Sequence, residues 1–339
     1  MVSERSLEVL RAIVQDYVAS REPVGSKSIV ERHHFGVSAA TIRNDMALLE
    51  EEELIAAPHT SSGRIPTDKG YRVFVDRLAD VRPLTPAQRH AIETFLGESH
   101  DLDELLGRTV RLVSQLTRQL AVVQYPSFAR ARVRHVELVS LAPTRVLCIL
   151  ISDSGQVEQR LAELDQEVDE GTLARLRDRL NEISAGLTMA DAATALSAET
   201  DHADRAHAEV LRTLAATLAD QAMVTRADRL VVAGAANLVR TEQDFAGSIL
   251  GVMEAIEEQV VILRLFGEMA ADEGLAVRIG RENAAYGLGE TSVVSSTFAV
   301  PGRDMSRLGV VGPTRMDYSQ SMAAVRAVAR YLSRTLGEN

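Results

Sequence analysis

From residue 134 the apolar side chains alternate with period two, from about 171 they recur at helical spacing, and beyond 270 the alternation returns. RHVELVSLAP (134–143), TRVLCILISD (144–153) and GQVEQRLAEL (155–164) are consecutive strand candidates, and SDSG at 152–155 has the residues of a hairpin turn. Residues 171–269 are Ala/Leu-rich and mainly helical, interrupted by a strand-like RLVVAGA at 229–235. Strands resume at AVRIG, SVVSSTFAV and RLGVVGP, and a last helix is predicted over 318–336. Strands separated by so long a helical stretch predict an α+β chain in which one antiparallel sheet domain carries a mainly helical insertion.

The first eighty residues hold a denser pattern. Leu7, Leu10, Ile13, Val14 and Tyr17 lie at helical spacing behind Ser3, a suitable N-cap, and Pro23 and Gly25 end that helix. A short second helix fits Ser26 to His34. After the FGVS turn Ser38 can cap a third helix running to about Glu53, with Ile42, Met46 and Leu49 facing inward. LIAAPHTSSGRIPT then predicts a β-hairpin with an irregular tip. Thr67 can cap a fourth helix with Tyr71, Phe74, Val75 and Leu78 inward, and Pro83 and Pro86 mark the boundary. Beyond it a single long helical region is expected to about Val122, through Leu102, Leu105, Leu106, Val113, Leu116 and Leu120. The expected domains are therefore 1–82, an interrupted sheet domain of 83–170 and 270–339, and an insertion of 171–269.

Three short helices followed by a hairpin have the layout of a winged helix-turn-helix, whose third helix can enter a DNA major groove about 12 Å wide. Opposite the inward stripe of that helix lie Ala40, Thr41, Arg43, Asn44 and Ala47. Small residues allow close approach; Arg43 suits the paired acceptors of guanine, and Asn44 the donor and acceptor of adenine. Arg43, Asn44 and Thr41 are the expected base readers, and Lys27, Arg64, Lys69 and Arg72 the expected phosphate contacts. Ser26, Ser38, His59, Thr60 and Ser61 complete the candidate DNA-binding set, with Ser62 a further donor in the hairpin loop. The acidic run Glu50–Glu53 lies at the far end of the helix from the groove. The alternative is a protein-binding winged helix in which Arg43 is only a solvated surface residue.

Composition narrows the rest. With 339 residues, 46% apolar and 25% charged, the chain has room for two or three domains and is neither disordered nor fibrous. Net charge is −11, which opposes non-specific nucleic-acid binding, but residues 1–82 carry 11 basic and 13 acidic side chains and hold both lysines, Lys27 and Lys69. The longest clean apolar run, VLCILI at 146–151, is far too short to span a bilayer. The first residues lack the basic and apolar regions of a signal peptide, so a cytoplasmic location with no membrane partner is expected. The one cysteine, Cys148, excludes a disulfide framework and a cysteine zinc site, and reads as a buried inert thiol. His33, His34, His59, His90, His100, His135, His202 and His207 show no metal-ligand spacing. GLGETS at 287–292 lacks the lysine of a phosphate-binding loop, and no GxSxG, SxxK or paired-carboxylate motif occurs. Asp165, Glu167, Asp169 and Glu170 read as a solvated face. No enzyme activity, cofactor or metal is expected.

The stretch VGSKSI, SAATIRNDMALLEEEELI and PHTSSGRIPTDKGYRVFVD closely resembles the start of the heat-inducible transcription repressor HrcA family. AAYGLGETSVVSSTFAVPGRDMSRLGVVGPTRMDY resembles that family's closing motif, while the middle agrees only in pattern and length. The resemblance implies a winged helix, a GAF-like domain and a dimerising domain inserted into the GAF-like sheet. It further implies a homodimer on an inverted-repeat operator in double-stranded DNA upstream of chaperone genes of the groE and dnaK class. Release on heat shock, and help from the chaperonin GroEL in folding the active repressor, are also implied. Two alternatives stay open: a regulator gated by a small molecule in the GAF-like domain, and a winged-helix protein-interaction module.

Overall fold

The computed structural model describes residues 2–59, 62–78, 84–97, 99, 101–126, 131–153, 155, 157–199, 208–223, 229–245, 247, 249–269, 274–299 and 305–337. It is a mixed α and β structure with antiparallel sheets, and its contacts divide it into two units. One comprises Met1–Gln124, Leu230–Phe298 and Arg307–Leu332; the other comprises Tyr125–Arg229, Ala299–Ser306 and Ser333–Asn339.

The first unit opens with α1 (Glu4–Ser20), α2 (Ser26–Arg32) and α3 (Ala39–Glu51). Ser3 and Ser38 cap α1 and α3, their hydroxyls accepting from the N–H groups of Ser6 and Thr41. Leu10 and Ile13 of α1, Ile29 of α2, and Ile42, Met46 and Leu49 of α3 are all buried, so the helical periodicity seen in the sequence becomes a small core. Strands β1 (Ile55–Ala56) and β2 (Ile65–Pro66) pair antiparallel, with Ile55 opposite Pro66. Thr67 caps α4 (Asp68–Val73), which runs into a π-helical turn over Phe74–Leu78. Gly70 is held so close to the hairpin that a Cβ there would fall 2.0 Å from the Leu54 carbonyl oxygen.

The single long helix expected after Pro86 is instead α5 (Pro86–Gly97), α6 (Leu102–Thr117) and strand β3 (Leu120–Gln124). Asp101 starts α6 by accepting from Glu104 N–H, and Arg118 ends it in the left-handed conformation (φ 56°), its own N–H returning to the Ser114 carbonyl. The apolar residues that follow are buried and pair on both sides, a setting in which a Val-containing segment prefers a strand to a further helical turn.

The second unit holds β4 (Val133–Ala142), β5 (Arg145–Ser152) and β6 (Val157–Glu163), an antiparallel meander in that spatial order. In its turn Gly155 donates its N–H to the Ser152 carbonyl; Ser154 lies outside the described residues. Helices α7 (Glu170–Ser184), α8 (Met189–Glu199) and α9 (Ala208–Met223) supply Leu180, Leu196, Leu214 and Leu218 to one core with Val136, Cys148 and Leu150. The meander and the helices thus cluster together, and the chain passes from the first unit to the second at Tyr125 and returns at Leu230. Alternation marks Val136 and Cys148 as a buried face but carries no record of which helices cover it.

The chain then adds β7 (Leu230–Ala233), α10 (Ala235–Arg240), a 3₁₀ turn at Glu242–Asp244, α11 (Ile249–Glu257) and α12 (Gln259–Glu268). Next come β8 (Leu275–Ile279), a 3₁₀ stretch at Gly280–Tyr286, β9 (Thr291–Phe298), β10 (Ser306–Pro313) and the closing helix α13 (Tyr318–Gly337). Strands from distant parts of the chain form one five-stranded sheet, ordered β7-β3-β10-β9-β8, with Ala121 opposite Val310 on one side and Ala233 on the other. Val252, Ile262, Leu265 and Phe266 from α11 and α12 pack with Leu120, Val122, Val293 and Val311 of this sheet.

Candidate nucleic-acid interface

The caps and the inward stripe of α3 decide which side chains face out. With Ile42, Met46 and Leu49 buried, Ala40, Arg43, Asn44 and Ala47 are exposed, and Thr41 is half-buried beside the Ser38 cap, its Oγ1 3.0 Å from Ser38 Oγ. On α2 Lys27 is exposed, whereas its neighbour Ser26 is buried. Among the described residues the side chains of Lys27, Arg43 and Asn44 have no hydrogen-bond or ion-pair partner, so α2 and α3 present two cations and an amide unsatisfied by the protein.

The hairpin is differently engaged. Its exposed His59 donates its backbone N–H to Ser62 Oγ (3.0 Å), which returns a bond to the His59 carbonyl (2.7 Å). Thr60 and Ser61 lie outside the described residues. Arg64 Nε donates to Glu50 Oε2 at 3.0 Å and its Nη1 to the Ser62 carbonyl. Lys69 Nζ donates to the Glu52 carbonyl at 2.8 Å and lies 3.9 Å from Glu53 Oε2. The acidic end of α3 and the carbonyl beyond it therefore draw in Arg64 of the hairpin and Lys69 of α4. Arg72 makes a two-toothed pair with Glu282, at 2.9 and 2.5 Å, and also donates to the Val277 carbonyl and Asp76. Of the four expected phosphate contacts, Lys27 stands free, Arg64 and Lys69 are tied to the end of α3, and Arg72 ties α4 to β8 and the 3₁₀ stretch beyond it.

Two features escape the sequence pattern. Asp45 is buried on the inward face of α3, accepting from Arg5 at 2.8 and 3.2 Å and from the Ser6 hydroxyl at 3.0 Å. The hydrogen bond from Arg5 leads in holding its carboxyl below the usual carboxylate range. The available signal is its position, three residues after Ile42 and four before Leu49, where a carboxylate must find a partner. Leu48, one turn beyond Asn44, is 48% exposed and adds an apolar surface to the outward face.

A junction fastens this segment to the sheet. Arg315 pairs with Asp244 at 2.8 and 2.9 Å, both side chains nearly buried, and donates to the Tyr17 and Val18 carbonyls at the end of α1. Arg21, which closes α1, reaches the same Asp244 at 3.2 Å. Asp68 Oδ2 accepts from Arg281 N–H at 3.0 Å, and Gly280 (φ +51°) leaves room for it: a Cβ there would fall 2.2 Å from that oxygen. Tyr71 and Tyr318 pack with their rings tilted by 44°, 5.6 Å between centroids, burial pushing both hydroxyls up from the usual phenol range.

Of the histidines, His33 Nε2 lies 3.0 Å from Asp16 and His135 Nε2 3.3 Å from Glu137; His100, His202 and His207 lie outside the described residues. Among the described residues no three His, Cys, Asp or Glu side chains gather as metal ligands, and no helix is long and apolar enough to cross a membrane.

A family model described as the HrcA protein C terminal domain matches residues 103–322. The chain is 66% identical to the heat-inducible transcription repressor HrcA of Clavibacter michiganensis subsp. michiganensis, with 100% of each chain covered. It is 67% identical to the protein of the same name from Leifsonia xyli subsp. xyli, again over 100% of each. These relatives are transcription repressors rather than enzymes. A crystal structure of a hypothetical protein at 2.2 Å resolution shares the fold, with a TM-score of 0.65 at 23% identity, covering 100% of this chain and 99% of its own.

Proposed function

The chain belongs to the heat-inducible transcription repressor HrcA family, a family of transcription repressors, and on that premise we propose that it represses chaperone genes as a cytoplasmic homodimer bound to an inverted-repeat DNA operator. In this reading residues 1–82 are a winged helix-turn-helix, the five-stranded sheet belongs to a GAF-like domain, and the inserted unit provides dimer contacts. The observation that carries it is the outward face of α3: among the described residues Arg43 and Asn44 are exposed and without a partner, as is Lys27 of α2, while the other basic residues proposed for DNA are engaged within the protein. Two free donors on a capped helix are what base edges in a major groove require, and Leu48 offers an apolar contact suited to a thymine methyl. Lys27, with the N-terminal backbone of α3, holds phosphate; the hairpin, with His59 at its tip, reaches the flanking backbone.

Two such helices in a symmetric dimer match the two halves of a palindrome, so full affinity needs both halves together. Heat releases the repressor by loosening a marginally stable fold, and the GroEL chaperonin restores the active form; the chaperonin part of the reading rests on family membership. Fluorescence anisotropy against an intact inverted repeat, a single half-site and a scrambled duplex, over several salt concentrations, tests the proposal. Marked preference for the intact repeat supports it. Equal, weak binding to all three would leave the N-terminal segment as a protein-interaction module.

A further inference from the structure

In the first unit a cleft of about 680 Å³ opens between α6, the end of α1 and the segment from β7 through α10. Among the described residues its wall carries four arginines, Arg21, Arg111, Arg118 and Arg240, with Gln115 and Asn237 among its neutral polar groups and no carboxylate. In a chain of net charge −11 that grouping runs against the composition. Among the described residues Arg111, Arg118 and Arg240 have no ion-pair partner, and only Arg21 is engaged, with Asp244. Local backbone geometry builds the site. Arg118 stands in the left-handed turn that closes α6. Gly234 (φ +87°) brings β7 so near α6 that a Cβ would fall 1.9 Å from Ser114 Oγ, and Asn237 donates to that same oxygen at 2.9 Å.

We propose that this cleft binds a small, multiply charged phosphate compound. Several guanidinium groups without a facing carboxylate repel one another until an anion enters, and each offers a planar pair of donors matched to phosphate oxygens. A single carboxylate would leave most of that charge unmatched, whereas a di- or triphosphate group brings three or four negative charges. The volume is that of an ordinary small-ligand site, about 300–1,000 Å³. The DNA backbone is the less suitable occupant. Arg5 and Ser6, where α3 is hydrogen-bonded through Asp45, lie at one end of α1, and Arg21 closes the other, roughly 24 Å away at about 1.5 Å per residue. The middle of α3 is thus held a helix length from Arg21; the hairpin, bonded at Val24 and Arg64, lies nearer, and displacement by a duplex tests whether DNA reaches the cleft. Because Arg21 joins the cleft to Asp244, and Asp244 to Arg315 and the end of α1, an anion here would compete with Asp244 for Arg21 and bear on the junction that holds the N-terminal segment.

Calorimetric titration of the full chain with sodium tripolyphosphate, in buffer of about physiological ionic strength held constant with chloride, tests the site without reference to operator binding. One saturable site is expected. Arg111→Ala and Arg240→Ala, both exposed helix positions, should each weaken it about tenfold and together abolish it, with circular dichroism unchanged; Arg134→Ala, an exposed arginine of β4, should leave it unaltered. Absence of saturation, or equal binding by wild type and the double variant, would overturn the proposal. So would displacement of tripolyphosphate by a short duplex of arbitrary sequence, which would assign these arginines to nucleic acid.

Discussion

Asp45 shows how one buried side chain sets the aim of α3. Its carboxylate takes two hydrogen bonds from Arg5 and one from Ser6, fixing the helix against the start of α1 so that Arg43 and Asn44 face outward. Asp45→Asn should lower stability by about 1–3 kcal/mol, the usual range for a hydrogen bond to a charged group. Because the folded-state value lies below the usual one, the carboxylate's contribution is complete above about pH 4, the unfolded value, and is lost as pH falls through the lower folded one. Urea midpoints of wild type and Asp45→Asn should therefore draw together as pH falls below about 4; a gap that stayed constant from neutral pH down to the lowest pH at which both proteins fold would contradict this role. Cys148 provides a second check. Burial alone pushes its thiol up to about 12, so a thiol reagent at pH 8 should leave the native protein unlabelled for hours and label one equivalent on unfolding. Prompt labelling of folded protein would contradict the core assignment.

At the scale of elements, local chemistry is legible where caps and periodicity agree. Ser3, Ser38 and Thr67 cap the helices they were expected to cap, and the Ile42, Met46 and Leu49 stripe is buried as its spacing requires. The helix expected through Leu120 illustrates the opposite: only pairing with β10 and β7, more than a hundred residues away in sequence, makes a strand of that run. The engagement of Arg64, Lys69 and Arg72 is likewise hidden from the sequence, since it depends on which carboxylates and carbonyls the fold brings near. The Arg315–Asp244 junction is of the same kind. Its parts lie in α1, the turn before α11 and the corner before α13, and no spacing rule connects them. Arg315→Ala leaves a nearly buried Asp244 with Arg21 alone and should cost about 3–5 kcal/mol, measured as a lowered urea midpoint with new proteolytic cleavage near residues 18–25. A change below about 1 kcal/mol would show that the N-terminal segment is held by packing instead.

At the scale of the molecule, the repressor reading joins a DNA-facing helix to a dimer whose stability is the temperature sensor. In the proposed dimer marginal stability would suffice for this, because losing the dimer would remove paired half-site binding in one step. On heating, operator release should coincide with loss of dimer by sedimentation and of near-ultraviolet dichroism; release from an intact, folded dimer would point to a different switch. In the proposed complex the outward face of α3 reads bases. The ratio of affinities for the intact inverted repeat and a scrambled duplex, compared between wild type and Arg43→Ala, tests it directly. Arg43→Ala should lower this ratio by about tenfold or more, the equivalent of ~1–3 kcal/mol of lost discrimination. A variant that bound less tightly but kept the full wild-type ratio would contradict it, and would make Arg43 a backbone contact.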